Sequence, residues 1–497
     1  MSLAVTRMTA LPSELLIEIF DLVCAADAHD IEQKLHLAQV CVYWRAVALT
    51  YPTFWSQIRI RTSRDAMLLS VALVHSRDSA LCIDLFWQPR RDDTILSNAQ
   101  RLAVVDMLRA PAQRSRLKHL GVKFANVPPT ALRTLLGAGI EFPALEYLEI
   151  KGMHYIQPFL ELRLHAQCLR RLSLSRVDIT LWGTLVASSL EHVCLDGVVV
   201  GEPAKLLTTI LRRCAALAHL EWNISSSFSM STSSDAVRDA LAPRLNTLCL
   251  GQSVLSADVL RFLNHHRVDL DPIQSITACI DNGYYVDDET LEFLEESLFR
   301  MGPLVDLRVE ETGQQVVIRD DAGRVRRLIV WNDDSTWAIP SLWSALSTYY
   351  SIDTSLQSLR MRTIDWNGFA GGFSVRPPSA LTEAYINVFG GLEYDVLDGE
   401  SWSSDADSRP PRTLIIPKLR RIVFSQDADT ALWDESGIPV TARVREILQY
   451  VECEASTRVE VCISDAVRGG GEAIPAAETL LGGLSDKWLL CPHCAGA

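Results

Sequence analysis

The sequence predicts an α/β fold in two parts: all-α over residues 1–60, then an irregular α/β solenoid over residues 61–497 with a β-hairpin inserted in it. Three observations predict it. Between Leu11 and Trp55 large apolar residues recur at three- and four-residue steps, the period of helices that bury one face. Beyond residue 60 a unit of apolar-x-x-apolar-x-apolar keeps returning, and such alternation fits a short strand with one side in a core. Between these units the spacing turns helical in Ala204–Cys214, Ala257–His265 and Glu289–Phe299, which makes connections long enough for parallel strands.

The first helix is expected to start near Pro12, which a first turn tolerates because its missing N–H would have no partner there, and Glu14 puts negative charge at the positive end of the dipole. Leu15, Leu16, Ile19, Phe20, Leu22 and Val23 form one broad apolar face, with Glu14, Glu18 and Asp21 filling much of the rest. Cys24–Lys34, polar and acidic with Asp27, Asp30 and Glu32, reads as a loop. A second helical pattern runs through Leu35, Leu37, Val40, Cys41, Trp44, Val47 and Ala48 until Pro52 stops or bends it before Trp55. A unit of roughly 45 residues buries too little surface to be stable alone, so a partner or the body of the chain must complete its core.

Leu11-Pro12, Glu14-Leu15-Leu16, Ile19-Phe20, Val40-Cys41, Trp44-Arg45, Pro52 and Trp55, in this order and spacing, resemble the F-box motif along its full length. The resemblance implies docking on a Skp-type adaptor and, through it, on a cullin and a ubiquitin ligase. It places Leu11, Pro12, Leu15, Ile19, Val40, Cys41 and Trp44 at the positions that face the adaptor or brace that face. The Cys24–Lys34 stretch is longer than in compact F-boxes. As a whole the chain is similar to the divergent F-box proteins with degenerate leucine-rich repeats found in mushroom-forming fungi, and the likeness is sharp over residues 11–55 and architectural beyond.

The repeating units begin at Leu117, Leu145, Leu169, Leu190, Leu217, Leu245, Leu304, Leu356 and Leu419, and most early spacings match the period of a leucine-rich repeat. In regular repeats an Asn or Cys follows the last strand residue; Val177, Val198, Ser225 and Ser253 stand there instead, which predicts turns that differ from coil to coil. Gln315–Arg319 and Arg324–Trp331 alternate on either side of Asp320-Asp321-Ala322-Gly323 and predict the hairpin. Val444–Val451 and Arg458–Ile463 read as a helix and strand that cap the array, as open solenoid ends require. Ser225–Asp235, Gly368–Ser379, Ser401–Pro411 and Arg468–Pro475 are loop compositions.

A formal charge of −14 argues against wrapping nucleic acid, which needs clustered Lys and Arg. The Arg pairs at 90–91, 170–171, 212–213, 326–327 and 420–421 read as solvated positions beside buried strands. No apolar run reaches a membrane-spanning length and the N-terminus lacks the design of a signal peptide, so a cytoplasmic or nuclear protein is expected. Cys82, Cys194, Cys249, Cys279 and Cys462 sit in apolar contexts and read as buried thiols of a reducing compartment, without disulfides. No G-x-S-x-G, G-x-x-x-x-G-K, G-x-G-x-x-G or H-E-x-x-H motif is present. Cys491-Pro-His-Cys494 is half a zinc knuckle without its second pair, and His265-His266 reads as a helix-end or surface pair, so no metal ligand and no cofactor is assigned. The reading is a non-catalytic receptor subunit whose N-terminal helices dock on the adaptor and whose repeats hold a target protein by residues the sequence does not identify. Its rivals are an F-box scaffold acting outside a ligase and an enzyme with a site assembled from distant loops.

Overall fold

The computed structural model describes residues 11–27, 31–87, 96–125, 129–137, 139–153, 159–161, 165–181, 186–224, 244–251, 256–265, 270–281, 301–309, 315–331, 352–362, 378–387, 414–425, 440–454, 456–463 and 488–491. They fall into two compact units, Met1–Val268 and Asp269–Ala497. The expectations for Glu289–Phe299, Ser225–Asp235, Arg90-Arg91 and His266 lie outside the described residues, as do nearly all of Gly368–Ser379, Ser401–Pro411 and Arg468–Pro475.

The first unit opens with four helices, α1 (Ser13–Asp27), α2 (Ile31–Gln39), α3 (Val42–Thr50) and α4 (Pro52–Ser56). Two expectations are corrected here. Cys24–Lys34 is not one loop, since α1 runs on to Asp27 and α2 starts at Ile31. The second helical pattern is two helices rather than one: the chain breaks at Val40, and Cys41, in an extended conformation, caps α3 by accepting from Trp44 N at 3.4 Å. A side-chain acceptor at this place satisfies an otherwise unpartnered helix-start N–H. Pro52 then sits in the first turn of α4, where its lack of a donor costs nothing.

The strands and helices that follow in this unit are β1 (Gln57–Ile60), α5 (Ser63–His75), β2 (Leu81–Trp87), α6 (Asn98–Arg109), α7 (Pro111–Arg114), β3 (Leu117–Phe124), α8 (Pro129–Leu136), β4 (Tyr147–Gly152), β5 (Phe159–Glu161), β6 (Arg171–Ser175), β7 (Asp178–Leu181), β8 (His192–Val200), α9 (Pro203–Arg213), β9 (His219–Ile224), β10 (Thr247–Leu250) and α10 (Ser256–His265). The helical spacings at 204–214 and 257–265 thus became α9 and α10. β1, β2, β3, β4, β6, β8, β9 and β10 pair in that order, all parallel. The sequence repeats fall in register: Leu120 pairs with Leu148, Leu148 with Leu172, Leu172 with Val193, Val193 with Leu220 and Leu220 with Leu248. All six are buried, and each is worth about 1.5–3 kcal/mol against exposure. Each strand is approached through a tight turn, as in Leu145 N to Phe142 O at 3.2 Å, Leu169 N to Ala166 O at 3.2 Å and Leu217 N to Cys214 O at 3.0 Å. Val177 and Val198, in place of the polar residues of regular repeats, are fully buried, and the chain continues past them as β7 and the end of β8, which pair with each other.

The second unit contains β11 (Ser275–Asp281), β12 (Leu304–Val309), β13 (Gln315–Asp320), β14 (Val325–Trp331), α11 (Ile352–Ser355), β15 (Ser358–Arg362), β16 (Glu383–Asn387), β17 (Leu414–Ile415), β18 (Arg421–Ser425), α12 (Val440–Gln449), β19 (Val451–Glu452), β20 (Val459–Ile463) and β21 (Trp488–Leu490). β13 and β14 form the expected hairpin, with Gly323 at φ +79 in its turn. It is built into the sheet: β14 runs parallel to β11, and β13 pairs antiparallel with β12. From β12 the order continues through β15, β16, β18, β20 and β21, all parallel. β20 was expected to close the array, yet β21 adds a further strand beyond it. Two repeats escaped the sequence reading, one with Ile273, Ile276 and Ala278 and one with Leu381, Ala384 and Ile386, all buried. Arg326 is another correction. It is 1% exposed and donates to Ile273 O at 2.9 Å, Val325 O at 3.1 Å and Leu270 O at 3.2 Å, so it holds a turn from inside and is not solvated.

Candidate functional site

α1 carries a wider apolar arc than its neighbours cover. At 3.6 residues per turn Leu16 and Phe20 share one half of the arc, and both are completely buried against α3 and α4. Leu15, Ile19, Leu22 and Val23 share the other half. Leu15 is 44% exposed, Leu22 70% and Val23 38%; Ile19 is half-buried. At the junction of α2 and α3, Val40 is 48% and Val42 79% exposed.

Aromatic packing fixes this surface from beneath. Phe20 meets Trp44 edge-on at 5.6 Å and Phe54 at 4.9 Å, Phe54 meets Trp55 at 5.3 Å, and Trp55 lies 5.4 Å from the His75 ring of α5. Polar links fix the ends. Tyr43 Oη donates to Leu11 O at 3.0 Å, Tyr51 Oη to Asp21 at 2.9 Å, Arg45 Nε to Ala38 O at 3.1 Å, and Trp55 Nε1 to Ala48 O at 2.7 Å. Lys34 is 2% exposed; its ammonium donates to Gln57 O on β1 and lies 5.5 Å from the Phe54 ring centroid. The helices therefore rest on the first strand of the sheet and on α5.

Of the residues singled out from the sequence, Pro12, Leu15 and Val40 are exposed, and Leu11, Ile19 and Cys41 are half-buried. Trp44 is only 8% exposed and acts as a brace. Leu22, Val23 and Val42 were missed as surface positions, because apolar spacing identifies a helix face without saying how much of it a neighbour covers. Residues 8–61 match the F-box-like family. The match spans α1–α4 and β1. No match to a curated protein was found. An F-box-like domain implies an Skp-type adaptor as partner and suggests a role as an SCF substrate receptor, a role that F-box proteins typically fill without catalysis.

The parallel strands of the first unit present a second surface. Their alternate side chains are half-buried rather than buried, and they are polar or aromatic. His119 stacks on Tyr147 at 4.4 Å and reaches Asp84 Oδ1 at 3.2 Å. Gly121 leaves that carboxylate its place, since a Cβ there would stand 2.2 Å from Asp84 Oδ1. Arg59, Arg61 and Lys123 surround the Phe86 ring with their cations 5.0–5.4 Å from its centroid, within cation–π range. Farther along, Asp196 accepts from Ser175 Oγ at 2.9 Å and from Asn223 Nδ2 at 2.7 Å.

Titratable groups on this face are tuned by burial. Loss of solvent, then a hydrogen bond to the Glu221 carboxylate, pushes the Cys194 thiol up to about 12, so it is no nucleophile at neutral pH. Burial, then the nearby Arg171 and His219, holds His192 below the ordinary imidazole value. Among the described residues no helix is long and apolar enough to cross a membrane.

Proposed function

We propose that the chain is the target-recruiting subunit of a cullin-type ubiquitin ligase. The observation that carries this reading is the uncovered half of the α1 arc. Leu15, Ile19, Leu22 and Val23, with Val40 and Val42 beside the Cys41 cap, leave apolar surface in water on a domain that matches the F-box-like family. Leu11, Pro12, Leu15, Ile19, Val40 and Cys41 contact the adaptor in this reading, and Trp44 holds them in place. Several large apolar side chains left in water on one small domain are what a protein partner covers.

In this reading the repeats within each unit are coils of an irregular leucine-rich-repeat-like solenoid, which the in-register Leu rows of the first unit support. Its polar and aromatic strand face holds the target. Aromatic and Arg side chains in half-buried settings are the groups that concentrate binding energy, and Phe86, Tyr147 and Arg59 are of this type. Ubiquitin transfer is done by other subunits. The receptor raises the local concentration of its target, which needs no catalytic residue. In this reading the chain works in the cytoplasm or nucleus.

The test is direct binding of the full chain to a purified Skp-type adaptor, followed by ubiquitylation of a co-purified target in the reconstituted ligase. A chain with Leu15→Asp and Val42→Asp together is expected to lose adaptor binding while keeping its circular dichroism spectrum. Retained binding by that variant refutes the docking surface, and adaptor binding without any target transfer refutes the ligase role.

A further inference from the structure

At the last strands of the second unit three donors of metal-ligand type converge. Glu460 and Cys462 stand two residues apart on β20 and so project from the same side of the strand. β21 runs parallel to β20, and the next residue, Cys491, continues the pairing through Cys491 N to Val461 O at 2.8 Å. The Glu460 carboxylate oxygen and the sulfurs of Cys462 and Cys491 all lie within 4.8 Å of one another. Both sulfurs are buried, at 5% and 3% residue exposure, and both are thiols.

We propose that Glu460, Cys462 and Cys491 bind a thiophilic divalent cation of the zinc class. Two thiolates and a carboxylate are a donor set that tetrahedral zinc accepts. The present spacing is at most about 1 Å wider than the roughly 3.8 Å between ligands of a tetrahedral site. The charge also closes. Two thiolates and one carboxylate exceed a divalent ion by one negative charge, and the Arg421 guanidinium supplies the opposing positive one, 3.9 Å from Glu460 Oε2 and 3.4 Å from Cys462 Sγ. Loading releases the two thiol protons to solvent.

The sequence points to the same place from another direction. Cys491 opens the Cys-Pro-His-Cys run, a half motif lacking its second pair, and the fold supplies that pair from a neighbouring strand as Cys462 and Glu460. His493 and Cys494, further donors of kinds zinc takes, lie outside the described residues, and the site rests on the other three. Its place suits a structural ion, which would pin the three-residue β21 to β20.

The experiment measures metal in the full-length chain, purified reduced and dialysed against zinc. About one zinc per chain is expected, lost in Cys462→Ser and in Cys491→Ser and kept in Cys168→Ser, whose thiol is exposed elsewhere. Cobalt in place of zinc should give a sulfur-to-metal charge-transfer band that disappears with the same two substitutions. Since a buried serine can unfold the strand, Glu460→Gln serves as a second variant, and its affinity in a chelator competition should fall roughly tenfold or more with the fold intact. The proposal is overturned if the reduced wild-type chain takes up no zinc, or if metal content and the cobalt band survive both cysteine substitutions. It is equally overturned if Glu460→Gln, folded, binds zinc as tightly as the wild type.

Discussion

At position 44 the indole is 8% exposed and packs edge-on against Phe20, so Trp44→Ala is expected to lower stability by about 3–5 kcal/mol, the cost of emptying a buried aromatic site. On the uncovered half of the α1 arc, Leu15 is 44% exposed and carries no such core burden. Leu15→Asp should leave the thermal midpoint nearly unchanged and weaken adaptor binding by about 2 kcal/mol, roughly 30-fold, as expected for an interface anchor. Thermal melts and titration calorimetry on the two variants separate brace from contact; a Trp44→Ala chain that melts like the wild type refutes the division of roles. His192 gives a prediction of a different kind. Its folded value lies below the unfolded reference near 6.5, so between the two the unfolded chain binds more protons. Its contribution to stability is therefore complete above the reference and shrinks as pH falls through it toward the folded value. In an NMR titration of the full chain, with a His192→Asn variant for assignment, the His192 ring should titrate below pH 6.5; titration above that value contradicts the burial described for it.

The hairpin of β13 and β14 shows how much an element can reveal before coordinates are known. Asp320-Asp321-Ala322-Gly323 between two alternating runs was legible because a tight turn needs residues that tolerate unusual backbone angles, and Gly323 adopts φ +79. Asp320, 2% exposed as a residue, accepts from Arg324 N at 2.8 Å and from Arg324 Nε at 2.6 Å, which locks the turn. Gly323→Val should cost about 1–2 kcal/mol, because a β-branched residue is strained at positive φ; a urea midpoint equal to the wild type's would contradict it. What could not be read was the hairpin's place between β11 and β12, since pairing partners are set by long-range packing. For the same reason the repeats at Ile273 and Leu381 went unrecognised: Ala278 and Ala384 fill core positions where the leucine pattern leads one to look for a larger residue. The break between α2 and α3 was missed because Val40 and Cys41 keep the helical apolar period, and only the extended Cys41 backbone shows that Cys41 is a cap. In the candidate docking surface the motif order pointed to the right segment, whereas exposure at Leu22 and Val42 depends on neighbours that no local pattern encodes.

At the scale of the molecule, the F-box-like segment and the first strands share one core. Trp55 and Phe54 are 1% and 2% exposed, Ile58 and Ile60 of β1 are 1% and 0%, and Lys34 reaches across to Gln57 O. β1 is also the only described partner of β2 on that side, with Ile58 opposite Ile83 and Ile60 opposite Leu85. Removing residues 1–60 therefore does more than delete a docking surface. It strips β2 of a whole parallel neighbour, leaves its N–H and C=O groups as an open edge prone to pairing with other chains, and uncovers the apolar side of α5 around Leu69, which is fully buried in the intact chain. A chain of residues 61–497 is expected to aggregate more readily and to lose hydrogen-exchange protection at Asp84 and Phe86, the β2 residues on the β1 side, since Leu81 N donates to Arg116 O on the β3 side and alternation turns Ile83 and Leu85 the same way, while amides of β8 and β9, held between parallel neighbours on both sides, keep theirs. Point variants on the exposed half of α1 should leave protection in β2 untouched. Equal protection of β2 with and without residues 1–60 would mean that the segment folds as an independent module, and the shared core described here would have no energetic weight.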